Sequence, residues 1–282
     1  MLRQILLIAV FLLQAAQAQP RRIVSTAPSI TETLFALGLG PSVVGVSNYC
    51  RFPPEVIKLP KVGAYLKPDA EAIARLSPDL VVIKKLSNDL AARLTALGIP
   101  YVEVELGTLP QLYATIETLG KAAGAGMQAK TLINGIQGRL NAVRQKAAGL
   151  PKPKVLFIVG RRPGTLADFV AVGSDSYLNQ LIETAGGVNV LQQPSLPAYP
   201  RISLETVIRS NPDFIIDTST PMMGNDQARA ASEVLWQEHK ELTAVLNHHL
   251  RVLNADEFVV PGRRVAEVVE MLFGILHERG GN

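Results

Sequence analysis

One segment of this chain is written twice. Pro68-Asp69-Ala70-Glu71-Ala72-Ile73-Ala74-Arg75-Leu76-Ser77-Pro78-Asp79-Leu80-Val81-Val82 is matched, 134 positions later, by Ile202-Ser203-Leu204-Glu205-Thr206-Val207-Ile208-Arg209-Ser210-Asn211-Pro212-Asp213-Phe214-Ile215-Ile216. Each copy gives a capping residue (Asp69, Ser203), a glutamate at the second helical position, an apolar stripe, Pro-Asp and a strand rich in β-branched residues. Two copies so far apart predict two similar lobes, not a short-period solenoid. Two lobes imply a cleft, and clefts at domain interfaces take small ligands.

The first eighteen residues read as a secretory signal: Arg3, an apolar run from Ile5 to Leu13, and the small-residue cleavage site Ala16-Gln17-Ala18. The run is too short to span a bilayer. No cysteine follows the expected cut, which speaks against a lipid anchor. The product is expected to be exported, most simply to a bacterial periplasm. Cleavage leaves 264 of the 282 residues, enough for two α/β lobes with their own cores.

The net charge of +4 falls to +3 without Arg3, far from the basic stripe of a nucleic-acid binder, and no nucleic-acid partner is expected. Cys50 is the single cysteine, so there is no intramolecular disulfide framework. The four histidines (His239, His248, His249, His277) lack metal-ligand spacing, so no metal site built from protein ligands alone is expected.

Strands expected at 23–26, 43–46, 80–83 and 101–104 alternate with helices, the first following Pro28-Ser29 and ending at Gly38 or Gly40, the others at 70–76, 89–97 and 110–123. Ser29 with Glu32 reads as a capping box. Leu132, Ile136, Leu140 and Val143 then recur at helical spacing, predicting one long helix that crosses to the second lobe. That lobe restarts with a strand at 154–159. Helices are expected at 176–185, 204–210, 228–246 and 262–277, with a strand at 250–253. The fold class is α/β, two small lobes each built on a mostly parallel sheet flanked by helices. The domains expected are a leader at 1–18, an N-terminal lobe at 19–126, a linking helix at 127–150 and a C-terminal lobe at 151–282.

Parallel sheets bind ligands outside the carboxyl ends of their strands. Those ends carry aromatics: Tyr49 and Phe52, Tyr65, and Tyr199. Flat side chains on facing loops suit a large planar ligand, although tyrosine beside proline also serves loop packing. Arg51, Lys67, Lys84, Lys85, Arg161, Arg162 and Arg201 gather in the same loops, where they would attract an anion or stand as solvated charges. Glu71 and Glu205 sit one position early for a capping-box acid. Each suits the helix dipole, and as a matched pair they would also grip a symmetric partner with two basic sockets. No GxxxxGK[ST] or GxSxG motif occurs, and catalysis is not indicated.

Four segments carry a resemblance: Arg22 to Glu32, Val44 to Pro54, Val62-Gly63-Ala64-Tyr65, and the two Pro-Asp repeats. Together they resemble the periplasmic binding proteins of ABC importers for cobalamin and ferric siderophores, the helical-backbone metal receptors. The order of elements matches over essentially the whole mature chain. The resemblance implies two lobes joined by one rigid helix with limited hinge motion, and docking of Glu71 and Glu205 onto arginines of a membrane permease dimer. Tyr49 before Phe52-Pro53-Pro54, and Tyr199 before Pro200-Arg201-Ile202-Ser203, look most like cobalamin binders, in which aromatics at the places of Tyr49, Tyr65 and Tyr199 line the corrin site. Gly160-Arg161-Arg162-Pro163 departs from that pattern and suits a carboxylate-bearing or catecholate-type iron chelate, or haem.

The expectation is therefore a monomeric, non-catalytic capture protein for a corrinoid, with a ferric siderophore or haem as the alternative. It would hold no intrinsic cofactor, any metal arriving inside the ligand. A periplasmic sensor or enzyme domain reusing the fold stays open as a different class.

Overall fold

A computed structural model describes residues 21–85, 89–219, 226–253 and 258–277. The expected leader, 1–18, lies outside them, as do parts of the loops after the strands at 80–83, 214–216 and 250–253. The chain divides into two compact units, Met1–Glu105 with Ala114–Leu132 and Leu106–Tyr113 with Ile133–Asn282.

The first unit is built on four parallel strands, β1 (Ile23–Ser25), β2 (Val43–Val46), β5 (Leu80–Lys84) and β6 (Tyr101–Val104), in the order β2-β1-β5-β6. Nearly every residue of β1 and β5 is buried, the continuous apolar run of a sheet covered on both faces. Helices α1 (Pro28–Ala36), α2 (Ala70–Arg75) and α3 (Leu90–Ala96) connect them. Val24, Ile73, Val81, Ile83 and Leu94 form one apolar core between sheet and helices. A short antiparallel ribbon, β3 (Gly63–Ala64) with β4 (Lys67–Pro68), rises between β2 and α2.

Two consecutive helices, α4 (Leu109–Ala122) and α5 (Gly126–Ala147), each contribute residues to both units. In α5, Ile133, Ile136, Leu140 and Val143 are buried at helical spacing. Arg139 clamps this helix to α10 (Val265–His277) through Glu270, its Nε and Nη2 donating to the carboxylate at 2.8 and 2.6 Å.

The second unit has a mixed sheet. Strands β7 (Lys154–Gly160), β11 (Phe214–Asp217) and β12 (Leu250–Val252) run parallel, and β9 (Val188–Asn189) joins the start of β7. On the far half of β7 lie β8 (Phe169–Ala171) and then β10 (Arg201–Ile202), both antiparallel to their neighbours. Helices α6 (Tyr177–Thr184), α7 (Leu204–Ser210), α8 (Asp226–Gln237) and α9 (Thr243–Leu246) pack around it with α10. Trp236 and Phe169 stack at the centre of its core, 5.6 Å between ring centroids.

The two written repeats fold alike. Asp69 accepts from the Glu71 and Ala72 N–H groups to start α2, and Ser203 accepts from Thr206 N–H to start α7. Both helices end on a residue with positive φ, Ser77 at 43° and Asn211 at 36°, directly before the proline. The aspartate after each proline then reaches sideways to the start of the neighbouring strand. Asp79 accepts from the N–H groups of Arg21 and Arg22, and Asp213 from that of Lys154.

Two sequence expectations change. α1 starts at Pro28 with Ala27 as the residue before it and no side-chain cap, so Ser29 and Glu32 do not form a capping box and are buried in the helix. Proline at the first helical position needs no cap for its missing N–H. The helix expected over 228–246 is broken into α8 and α9, because Asn211 Oδ1, from a distant turn, accepts the Thr243 N–H and starts a new helix there.

Candidate functional site

In the first unit every strand of the main sheet points the same way, so the loops after β1, β2 and β5 share one end. The loop after β2 carries Tyr49, which is 48% exposed, and is fixed from below through Cys50. The Cys50 thiol is buried between the hydroxyls of Thr31 (3.1 Å) and Ser47 (3.2 Å), and Thr31 in turn donates to Ser25. Burial pushes this thiol's pKa up, only partly countered by the hydrogen bonds from Ser47 and Thr31.

The ribbon β3–β4 stands beside that loop. Asn48 N–H donates to Gly63 O, Val62 N–H to Val46 O, and Asp69 N–H to Val62 O, each at about 3 Å. The backbone at Gly63 has φ of +96°, and an added Cβ would lie 2.8 Å from Asp69 N, so only glycine makes this turn. The ribbon tip presents Tyr65, half-buried, and Leu66, 69% exposed. Lys84, the last residue of β5, donates its ammonium to the Tyr65 hydroxyl at 2.6 Å. The same nitrogen is 5.3 Å from the ring centroid, which places it beyond the hydroxyl and not over the ring face. The structure thus brings Tyr65 and Lys84 into contact and hangs Tyr49 on the same backbone frame. Phe52 lies half-buried in the turn that follows.

In the second unit Tyr199, 39% exposed, sits in the proline-rich loop 194–200. That loop is tied to the strand region by Ala171 N–H donating to Pro200 O and Gly173 N–H to Ala198 O, both 2.9 Å. A Cβ on Gly173 would meet Pro197 O at 2.3 Å, so the loop seats directly on bare backbone. Tyr177 lies buried beneath, its hydroxyl donating to Phe258 O, and burial holds its pKa well above the ordinary phenol range.

The arginine pair after β7 is not a matched pair of ligand-facing cations. Arg161 turns inward: its side chain is 3% exposed and its Nε donates to the fully buried Asp217 at 3.0 Å. Its other nitrogens donate to Thr165 O and Ser232 Oγ. Asp217 also accepts from the Trp236 indole N–H and from Ser219. A buried guanidinium needs such a set of acceptors, and here they lock the loop after β7 to α8. Arg162 is exposed and paired with Asp168 at 2.9 Å.

Glu71 and Glu205 are both on the surface in the first turns of α2 and α7. Glu205 pairs with Arg209 one turn on, at 3.2 Å, with both side chains largely exposed. Sequence reasoning undervalued Lys84, whose only signal was its place at the end of a buried strand. The histidines stay away from these loops: His249 stacks on Phe214 at 4.2 Å and His277 meets Ala185 O, around a 450 Å³ groove at the opposite, amino end of the second sheet. Among the described residues no three His, Cys, Asp or Glu side chains come together to hold a metal ion.

Residues 23–257 match the model of the periplasmic binding protein family. An uncharacterized ABC transporter substrate-binding lipoprotein of Bacillus subtilis is 30% identical, over 90% of this chain and 79% of its own. A vitamin B12-binding protein of Vibrio cholerae is 27% identical over 89% of this chain and 87% of its own. Among solved structures, the periplasmic vitamin B12 binding protein of Vibrio cholerae superposes with a TM-score of 0.76 at 26% identity, covering 91% of this chain and 96% of that one. A periplasmic heme-binding protein from Pseudomonas aeruginosa gives 0.78 at 23% identity, covering 90% and 92%, a likeness of fold. These relatives are binding proteins, not enzymes. The chain belongs to the periplasmic binding protein family, as a substrate-binding protein of ABC transporters.

Proposed function

We propose that this protein is exported by its leader to the periplasm, captures a corrinoid, cobalamin first among them, and delivers it to the permease of an ABC importer. The observation that carries the reading is the pair Tyr49 and Tyr65, held by a shared backbone frame at the carboxyl end of the first unit's sheet with ring area left uncovered. Such rings offer a planar macrocycle contact area at low conformational cost. The relatives named for vitamin B12 binding support the choice of ligand. Tyr199 adds a third ring, with Phe52 at the margin. Arg161 belongs to the support of its loop, and Arg162 is left as the outer, Asp168-paired charge of that loop. Glu71 and Glu205 dock on the permease dimer. The protein works as a monomer without an intrinsic cofactor, and any metal comes and goes inside the ligand.

A ferric chelate or haem is the second reading. It is favoured by Arg51, Lys67 and Arg201, exposed in or beside those loops with no carboxylate pairing them among the described residues. Titration calorimetry of the mature protein with cyanocobalamin, haem and a panel of ferric siderophores decides between the two. One-to-one cyanocobalamin binding that weakens in Tyr49→Ala and Tyr65→Ala supports the first. Binding of an anionic iron chelate with no response to cyanocobalamin replaces it with the second.

A further inference from the structure

The seven basic residues that the sequence singled out lie in or beside the loops at the strand ends, and their surroundings sort them. Lys85 pairs with Glu105 at 3.0 Å, Arg161 with Asp217 and Arg162 with Asp168. Arg51, Lys67 and Arg201 are exposed, where water solvates a charge without help. Lys84 fits neither group. It is half-buried, it has no carboxylate partner among the described residues, and its ammonium donates to a neutral phenol, the Tyr65 hydroxyl.

A half-buried ammonium is stabilised when an anion pairs with it. An ammonium has three donors, and the phenol takes one. The remaining N–H bonds lie beyond the Tyr65 hydroxyl, at the carboxyl end of a parallel sheet, the end at which such sheets bind ligands. Because Tyr65 fixes the nitrogen, an arriving oxyanion meets a donor that is already oriented, and charge-assisted hydrogen bonds of this kind are the strong ones.

We propose that Lys84 is a ligand-binding residue that pairs with an oxyanion of the captured ligand, and that Tyr65 is its positioning residue. This rests on the reading of the first unit's loop end as part of the ligand site. The shared chemistry is an oxyanion on a large ligand, and it has two sources among tetrapyrroles: the phosphodiester of cobalamin's nucleotide loop, or the carboxylates of a porphyrin.

The experiment titrates wild type, Lys84→Met, Lys84→Arg and Tyr65→Phe with two matched pairs of ligands. Cyanocobalamin is paired with dicyanocobinamide, which lacks the phosphodiester, and haem with its dimethyl ester, which lacks free carboxylates. For the pair that wild type binds, Lys84→Met is expected to weaken the oxyanion-bearing member about tenfold or more and to leave the stripped member unchanged. Lys84→Arg retains the preference, and Tyr65→Phe loses a smaller part of it. Equal loss for both members, or no loss for either, overturns the proposal. If wild type binds none of the four, the tetrapyrrole reading fails on its own. The same variants are then titrated with ferric citrate and with the neutral chelate ferrichrome, where a citrate-selective loss sustains the role of Lys84. Binding of neither overturns both. Thermal melting of each variant separates loss of binding from loss of fold. Should Lys84→Met not fold, Lys84→Gln and Tyr65→Phe carry the same comparison.

Discussion

Asp79 and Asp213 hold equivalent places in the two units and make the same unusual contact. Each carboxylate accepts backbone N–H groups from the start of an adjacent parallel strand, Arg21 and Arg22 at 2.9 and 3.0 Å in one unit and Lys154 at 2.7 Å in the other. The return bonds complete the clamp, Asp79 N–H donating to Arg22 O and Asp213 N–H to Lys154 O. The Pro-Asp of the repeat is thus a device for starting a strand pair, which explains why it is written in both halves.

Replacing Asp213 by alanine leaves the Lys154 N–H without its charged acceptor and is expected to cost about 2 kcal/mol. Urea unfolding of the variant measures it. Ligand affinity is expected to stay at the wild-type value, because the clamp lies at the amino end of the strands, away from the loops that carry Tyr199 and Arg162.

Truncating one partner of the Arg161–Asp217 pair strands a buried charge. Asp217→Ala is expected to destabilise the protein by about 3–5 kcal/mol, and Arg161→Met by a comparable amount. The double variant Arg161→Met with Asp217→Leu is expected to recover much of that loss, since two apolar side chains strand no charge. Chemical denaturation of the three proteins reads the coupling.

Alkali should find two weak points. Burial raises the pKa of the Cys50 thiol and of the Tyr177 phenol, so both groups are protonated in the folded protein at pH values where the unfolded chain has already lost the proton. Their contribution is complete below the unfolded values, about 8.5 for a thiol and about 10 for a phenol, and is lost as pH rises through the higher folded values. Stability measured from pH 7 to 11 is expected to fall above about pH 8.5, and Cys50→Ala to remove the first part of the fall. The same burial predicts slow reaction of Cys50 with a disulfide reagent at pH 7.5, speeded by denaturant.

Reversing Glu71 and Glu205 to lysine is expected to abolish ligand uptake by cells while the purified protein binds with unchanged affinity. Both carboxylates are exposed in the first turns of their helices. Uptake that persists in the double variant removes the docking role.

Gly173→Ala pushes a methyl group toward Pro197 O, at 2.3 Å in the present geometry. The loop carrying Tyr199 must move to admit it, at a cost of about 1–3 kcal/mol. A lower melting temperature together with weakened ligand binding is the expected result. Weakened stability with wild-type binding removes Tyr199 from the ligand contacts.

Much of this architecture was legible because it is written in local chemistry. Asp69 and Ser203 announce their helices, and the apolar runs at 80–83 and 154–159 are buried on both faces and need no partner to be recognised. What was not legible depends on distant partners. Arg161 looked like a surface cation because its acceptor, Asp217, is 56 residues away. The break between α8 and α9 is made by Asn211, 32 residues earlier. Strands β8 and β10 have three and two residues, too short for a period to show, so the antiparallel edge of the second sheet had no signal. The places of Tyr49, Tyr65 and Tyr199 after strands were readable; the bond between Tyr65 and Lys84 was not, because it joins residues 19 apart across a ribbon that sequence alone did not reveal.

That ribbon is held upright by main-chain hydrogen bonds from Asn48, Val62 and Asp69 and by the bare backbone of Gly63. These main-chain tethers do not use the side chains at its tip, where Tyr65 makes its own bond to Lys84. Tyr65 and Leu66 are therefore interchangeable parts on a permanent mount, and a descendant of this chain could trade them for other rings or charges without relearning how to fold. A lineage with such a mount can change what it carries by a few substitutions, and selection for a new nutrient would act first on those two positions.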